Sequence, residues 1–501
     1  MPAEEHEAPK GLFEGTIFEG GLGGKSSHAA HGGHDHGTWK TMLLDGTWFE
    51  HFIFEWLAEW GVSRALSLWI VFVGLLFILG HEVPSLPIFI TEWMTGTAPL
   101  WLPVTLWIAT WSVWVWYIQG LYISGRDPVL LEVKIPREIS KSPRAMEIAL
   151  SSFWFTSSET TFLHRAWRGQ VRVWYSLEYA SFGGEVHMYV WVPKSHRNIV
   201  ESALYAQFPE IELHQVEDYA SKFKYDRKNH KVFATDWAYP KGMSSDPGGD
   251  AYPIKTYIDF ELDKDPKEEF KVEPLAQMFE FLSSLRPGEQ VWIQIIFRAS
   301  GKYGSVLSPG KGDKDWLKRV RKAVDEIRNK ASINVGKEEA PESDPKKYGS
   351  FPRPTWSQTE QIRTMERHMG KVPFDVAMRG AYFADTTKAS FSSASYTANR
   401  WIWKPLNNPG YLNELKPVRG HNPFDYPWQD FMDMRYMLVS ERFFDAYRRR
   451  IAFHAPWTTP YQVMTNESLA TMWHFPSSGV ASPGLERIAA TKAEPPHNLP
   501  K

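Results

Sequence analysis

Two long apolar runs lie near the start of the chain, before any alternating pattern begins. Residues 65–81 (ALSLWIVFVGLLFILGH) and 98–125 (APLWLPVTLWIATWSVWVWYIQGLYISG) contain no Asp, Glu, Lys or Arg. A helix crosses the hydrocarbon core with about 20 mostly apolar residues. The second run is therefore long enough, and the first becomes so if Val62 and Ser63 join it with Arg64 reaching back to the interface. The pattern predicts a two-helix transmembrane hairpin. Its short connection carries Glu82 and Glu92 but no basic residue, whereas Arg64 precedes the first run and Arg126, Lys134, Arg137, Lys141 and Arg144 follow the second. Basic residues favour the cytoplasmic flank, which puts both termini and the remaining chain in the cytoplasm. Upstream, residues 47–61 interleave Phe and Trp with Glu50, Glu55 and Glu59, as in a helix lying at the interface.

After residue 126 the period changes. Residues 130–136 alternate as a strand, and SPRAMEIALSSF follows with Ser142 as N-cap, Pro143 in the first turn and Met146, Ala149, Leu150 and Phe153 on one helical face. RVWYSLEYASF and EVHMYVWV alternate on either side of Gly183-Gly184, a hairpin signal. A helix through Ile199, Val200, Ala203 and Leu204 stops at Pro209, and IELHQVEDY adds a strand. The order is β-α-β-β-α-β, a ferredoxin-like domain over residues 126–222.

Residues 250–475 read as a second, decorated copy. Its expected parts are a strand at 253–262, a helix at 274–285, strands at 290–298 and 373–383, a helix from about Thr387 to Trp401 and a short strand at YQVM. Insertions include a helix with Leu317, Val320, Val324 and Ile327 on one face, and another with capping-box spacing between Ser357 and Glu360. The expected fold class is α+β: a transmembrane hairpin followed by two ferredoxin-like domains, the second with insertions. Residues 1–46 read as a disordered tail and 476–501 as an extended, linker-like tail.

Composition narrows the chemistry. The 501 residues balance 56 basic against 58 acidic side chains, so no global field draws nucleic acid. The absence of cysteine excludes disulfides, thiolate metal sites and Cys nucleophiles. Six of the 24 tryptophans fall between Trp93 and Trp116, a composition suited to a membrane interface. Gly24-Lys25-Ser26 imitates a phosphate loop, but Glu19 stands where its first glycine is needed; residues 304–311 miss the spacing too. His28, His31, His34, His36 and Asp35 have metal-ligating chemistry without an apolar frame to fix a geometry. No catalytic constellation, cofactor site or built metal site is expected, and Asp259 with Glu261 reads as a solvated strand face. His187 and His214 read as structural histidines, although His187, Tyr189 and Trp191 also share a strand face on which bases could stack. That alternative is a membrane-tethered nucleic-acid-binding protein or membrane scaffold.

Three blocks carry a family resemblance. PREISKSPRAMEIALSS, SLEYASFGGEVHMYVWVPKSHRNIVESALYAQFPEIELHQVEDY and NESLATMWHFPSSGVASPGLERIAATKAEPPHNLP resemble the membrane-anchored N-terminal region of bacterial conjugation or type IV secretion-like ATPases. In such proteins the last block leads into a motor with Walker motifs, whereas this sequence stops at Lys501. The resemblance thus implies a non-catalytic inner-membrane subunit, in a homo-oligomer, docking a P-loop ATPase subunit, with DNA reached through the complex. It makes Leu485, Glu486 and Arg487 candidate partner contacts, and membrane lipid the second partner.

Overall fold

The computed structural model describes residues 64–488, apart from 83, 84, 138, 140, 157–160, 227, 241–248, 265–271, 302–315, 335–349, 353, 390, 422–429, 455, 456, 478 and 481. The His tract, the helix expected at 47–61, the loop at 304–311 and the end of the tail beyond 488 lie outside the described residues. Among the described residues, 64–71 belong to one compact unit and 72–488 to another. Helix α1 (Arg64–Glu82) is a 19-residue apolar helix with Trp69, Ile70, Phe72 and Phe77 exposed.

Helix α2 (Ser85–Ser124) has 40 residues and starts well before the expected Ala98. Pro99 and Pro103 lie inside it and each withholds one backbone donor. Thr91, Thr95, Thr97 and Thr105 turn their hydroxyls back onto carbonyls of the preceding turn, which satisfies those hydroxyls within the helix. Among the described residues, the stretch Ile88–Ser124 is the helix long and apolar enough to cross a membrane.

The strands are β1 (Pro128–Pro136), β2 (Trp174–Phe182), β3 (Glu185–Pro193), β4 (Glu212–Val216), β5 (His230–Ala238), β6 (Glu289–Ala299), β7 (Ser332–Asn334), β8 (Ser350–Pro352), β9 (Pro373–Asp385), β10 (Lys416–His421), β11 (Phe453–His454), β12 (Trp457–Thr458), β13 (Tyr461–Thr465) and β14 (Arg487–Ile488). Ten of them make one sheet in the order β10-β5-β9-β6-β2-β3-β1-β14, with β4 also on β1 and β13 on β9. All pairs are antiparallel except β1 with β14. The expected pair of separate domains is therefore joined: β2 and β6 pair antiparallel over nine positions, with Glu178 opposite Gln294 at the middle. The first half runs β4-β1-β3-β2 and the second β10-β5-β9-β6.

The second half begins earlier than the period suggested. Its first strand is β5, whereas residues 253–262 form no strand: 253–256 are irregular and 257–264 make consecutive turns. Asp259 accepts from the Thr256 backbone N–H (2.8 Å) and Glu261 has φ +57°, so local side-chain chemistry overrides the alternation there. Asp259 and Glu261 therefore share no strand face.

Helices cover both faces. On one lie α3 (Pro143–Ser151), α5 (Arg197–Gln207), α7 (Ala276–Ser283), α10 (Ser393–Arg400) and α12 (Asn466–Met472). Their Met146, Leu150, Val200, Leu204, Phe279, Leu282 and Leu469 meet Leu131, Val190, Leu177, Ile293 and Met378 from the strands. On the opposite face lie α6 (Tyr219–Lys222) and α11 (Met434–Arg449), which bring Tyr219, Phe444 and Tyr447 onto Tyr189, Trp191, Trp292 and Phe383. Helices α8 (Trp316–Ala331) and α9 (Trp356–Met369) form a smaller apolar cluster through Val320, Val324, Ile327 and Met365. The capping box of α9 belongs to Thr355 and Gln358 rather than Ser357 and Glu360.

Candidate functional site

The membrane-length helix is joined closely to the sheet. Only residues 125–127 separate α2 from β1, and the last turns of α2 already pack on protein. Ile118 is buried, and the Trp114 indole N–H donates to the Ala166 carbonyl (3.1 Å). Ala166 ends α4 (Phe162–Ala166), which is capped by Thr161. Trp111 stacks on Phe162 with ring centres 5.9 Å apart, and Trp114 meets Trp167 at 5.6 Å. Gly169, at φ +63°, follows; a Cβ there would lie 2.2 Å from the Ile118 carbonyl oxygen, so this close approach requires glycine. Arg126 completes the junction by donating to the Val171 carbonyl (2.7 Å) and resting over Tyr122 and Trp174.

Two buried ionic centres fasten the halves. Arg450, at the left-handed C-cap of α11, is fully buried. It donates to both oxygens of Glu178 on β2 (3.0 and 3.1 Å) and both of Asp218 (2.6 and 2.8 Å). Ser176, Tyr219 and Gln294 donate to the same Glu178 carboxylate, so both halves converge on one anion. Burial raises the Asp218 carboxyl, but the Arg450 guanidinium outweighs it and lowers the pKa. On the opposite face, Lys371 bridges Glu147 of α3 (2.6 Å) and Glu467 of α12 (3.6 Å). Burial alone would raise Glu467; His368, Arg367 and a bond from Thr256 instead hold it at about 2.

Residues 484–488 of the terminal segment are seated on the sheet. Leu485 is buried, and Ile135 and Pro136 of β1 pair with Arg487 and Ile488. Arg487 donates to the carbonyls of Arg137, Ser477 and Val480, while Glu486 is bridged to Lys134 (2.6 Å) but stays exposed. A Cβ on Gly484 would lie 1.8 Å from the Gly184 carbonyl oxygen. Of the three candidate partner contacts, Leu485 and Arg487 are thus engaged within the chain, and Glu486 alone presents its side chain outward.

The aromatic face is closed as well. Tyr189 and Trp191 are 6% and 7% exposed, too little for a base to stack on. Tyr219 covers Tyr189 with ring centres 5.1 Å apart, and Trp191 stacks on Trp174 at 6.3 Å. Half-buried His187 pairs with Glu132 (2.7 Å), whose pKa that contact lowers against burial; His214 pairs with Glu212 (3.0 Å). The strand period identified a face shared by these aromatics, but it could not reveal the late helix α11 and short α6 lying over it.

A cleft of about 530 Å³ opens at the ends of β2 and β6, lined in part by Phe182, Lys222, His230, Glu289, Asp385 and Lys388. Three of its charge pairs are Glu289 with Arg286 (2.9 Å), Asp385 with Lys388 (3.3 Å) and Lys222 with Glu217 (2.7 Å). Among the described residues, no group of three or more His, Asp or Glu is arranged to hold a metal ion. The features sequence reasoning missed are Arg450 with its acids and the α4 aromatics. FLHRAWRG carries the latter as a visible cluster, but five helical residues are too few for a period. No protein-family model matches the chain, and no curated protein matches it.

Proposed function

We propose that this chain is a non-catalytic inner-membrane subunit of a conjugation or type IV secretion-like translocation machine, which anchors and aligns a P-loop ATPase. In this reading α1 and α2 form a transmembrane hairpin with its ends in the cytoplasm, and the two halves of the sheet are ferredoxin-like units joined edge to edge. The observation that carries the proposal is the shared role of β1. The membrane-length helix enters its first residue through three connecting residues, and the terminal strand β14 pairs with its last two. A load applied at residues 485–488 would thus reach α2 through one continuous strand. Paired charges in the cleft and buried ionic centres fit a mechanical role better than proton transfer.

The test is purification of the tagged full-length chain from its native membrane under conditions that preserve complexes, with co-purifying proteins identified by mass spectrometry. A P-loop ATPase recovered in stoichiometric amount is the expected result. Recovery of the chain by itself, as a monomer or homo-oligomer, would overturn the docking role and leave a self-sufficient scaffold.

A further inference from the structure

The α4 segment has apolar side chains that the fold leaves uncovered. Phe162, Leu163 and Trp167 are 44%, 63% and 61% exposed, while Arg165 and Ala166 of the same turn are buried. Exposed apolar clusters of this kind mark interaction surfaces on otherwise well-packed proteins. Position identifies the occupant. The cluster is continuous with Trp111 and Trp114 of α2, through the stacked pair with Phe162 and the tilted pair with Trp167. Exposed Trp116 and Tyr117 extend the same aromatic level around the helix.

That level is where a bilayer surface belongs. Exposed Trp93 lies 18 residues before Trp111 and 21 before Trp114. At a rise of about 1.5 Å per residue these intervals span about 27–32 Å, matching a hydrocarbon core of about 30 Å with an aromatic belt at each side. Past the second belt the helix is held by protein, since Ile118 is buried and Gly169 abuts its carbonyl. Basic residues begin there, with Arg126 and exposed Arg168, as suits anionic headgroups.

We propose that α4 is a second membrane contact, an interfacial foot that inserts Leu163, Phe162 and Trp167 at the headgroup–acyl boundary beside the exit of α2. The inference rests on the reading of α2 as a membrane span. The foot, clamped to α2 by Trp114 and Gly169, fixes the tilt and rotation of the sheet against the bilayer, which the three-residue connection by itself would leave free.

The cysteine-free sequence gives a direct test. Full-length Leu163→Cys and Leu102→Cys variants, the second at an exposed position midway between Trp93 and Trp111, are each labelled with an environment-sensitive fluorophore and reconstituted into vesicles of phosphatidylethanolamine and phosphatidylglycerol, with lipids carrying spin-label quenchers at shallow or deep positions. The proposal expects blue-shifted emission at both positions, with residue 163 quenched mainly by the shallow label and residue 102 by the deep one. Deep quenching at 102 with water-like, unquenched emission at 163 overturns the foot and leaves the span intact. Water-like emission at both overturns the span, and the foot with it.

Discussion

Between Gly183 and Gly184 the first half of the sheet turns from β2 into β3 in two residues, both at positive φ (63° and 101°). At the corresponding place the second half goes from β6 to β9 by way of residues 300–372, which carry α8, β7, β8 and α9. The two connections join equivalent neighbours in the order β4-β1-β3-β2 and β10-β5-β9-β6. The cost of closing a loop grows only slowly with its length, so the same pairing survives both solutions. The tight turn depends on backbone chemistry at two glycines, the long one on what its inserted helices bury. The halves are then held together where neither connection reaches, at Glu178 opposite Gln294 and at the α3–α12 contact.

The comparison breaks most severely at Arg450. Replacing it with Met should leave Glu178 buried and uncompensated between the halves, a loss of about 3–5 kcal/mol. Denaturant unfolding of the detergent-solubilised chain would register it; a stability equal to that of the parent would remove Arg450 as the fastening. Gly184→Ala tests the tight turn. Its Cβ would lie 2.9 Å from the Ser283 carbonyl oxygen at a φ of +101°, and a destabilisation of about 1–3 kcal/mol is expected from the same unfolding measurement.

The other fastening is pH-dependent. Glu467 is held at about 2 against an ordinary 4.5. A depressed carboxylate stabilises the fold fully above its unfolded pKa and loses that contribution as pH falls through the folded one. Stability should therefore decline from about pH 4.5 towards 2, and Glu467→Gln should flatten that portion of the profile. An unchanged slope would show that other carboxylates govern the acid limb. His474 has the opposite sign. Burial lowers it, but Glu273 (2.9 Å) and two backbone carbonyls raise it overall, so its contribution is complete below about 6.5 and fades as pH rises through the folded value. The smallest effect belongs to the exposed Lys134–Glu486 bridge. Glu486→Ala should leave the melting temperature unchanged while Leu485→Asp, in the same segment, speeds proteolysis at residues 476–488. Equal protease resistance in both variants would mean that the seat of β14 does not depend on Leu485.

Much of the sheet was legible because alternation survives wherever a strand has apolar neighbours on at least one face. β1, β2, β3, β6 and β9 fall where the period placed them. β5 was missed although HKVFATDWA alternates acceptably, because the more regular run at 253–262 offered itself as the first strand. In that run Thr256, Asp259 and Glu261 supply turn chemistry that hydrophobic period does not register. At the site the failures share one cause. Tyr189, Trp191 and Leu485 were recognised as special, but whether a side chain faces water depends on α6, α11 and β1, which lie tens to hundreds of residues away.

The sequence by itself determined that a long apolar helix precedes a mixed helix-and-sheet region without cysteine chemistry, because those properties follow from local composition and period. Only the tertiary structure decided that the halves share one sheet, that Arg450 locks Glu178 and Asp218, that the terminal segment returns to β1, and that α4 lies against the exit of α2. Each of those depends on which surfaces meet across long sequence separations, where burial and charge pairing operate between residues that no local pattern brings together.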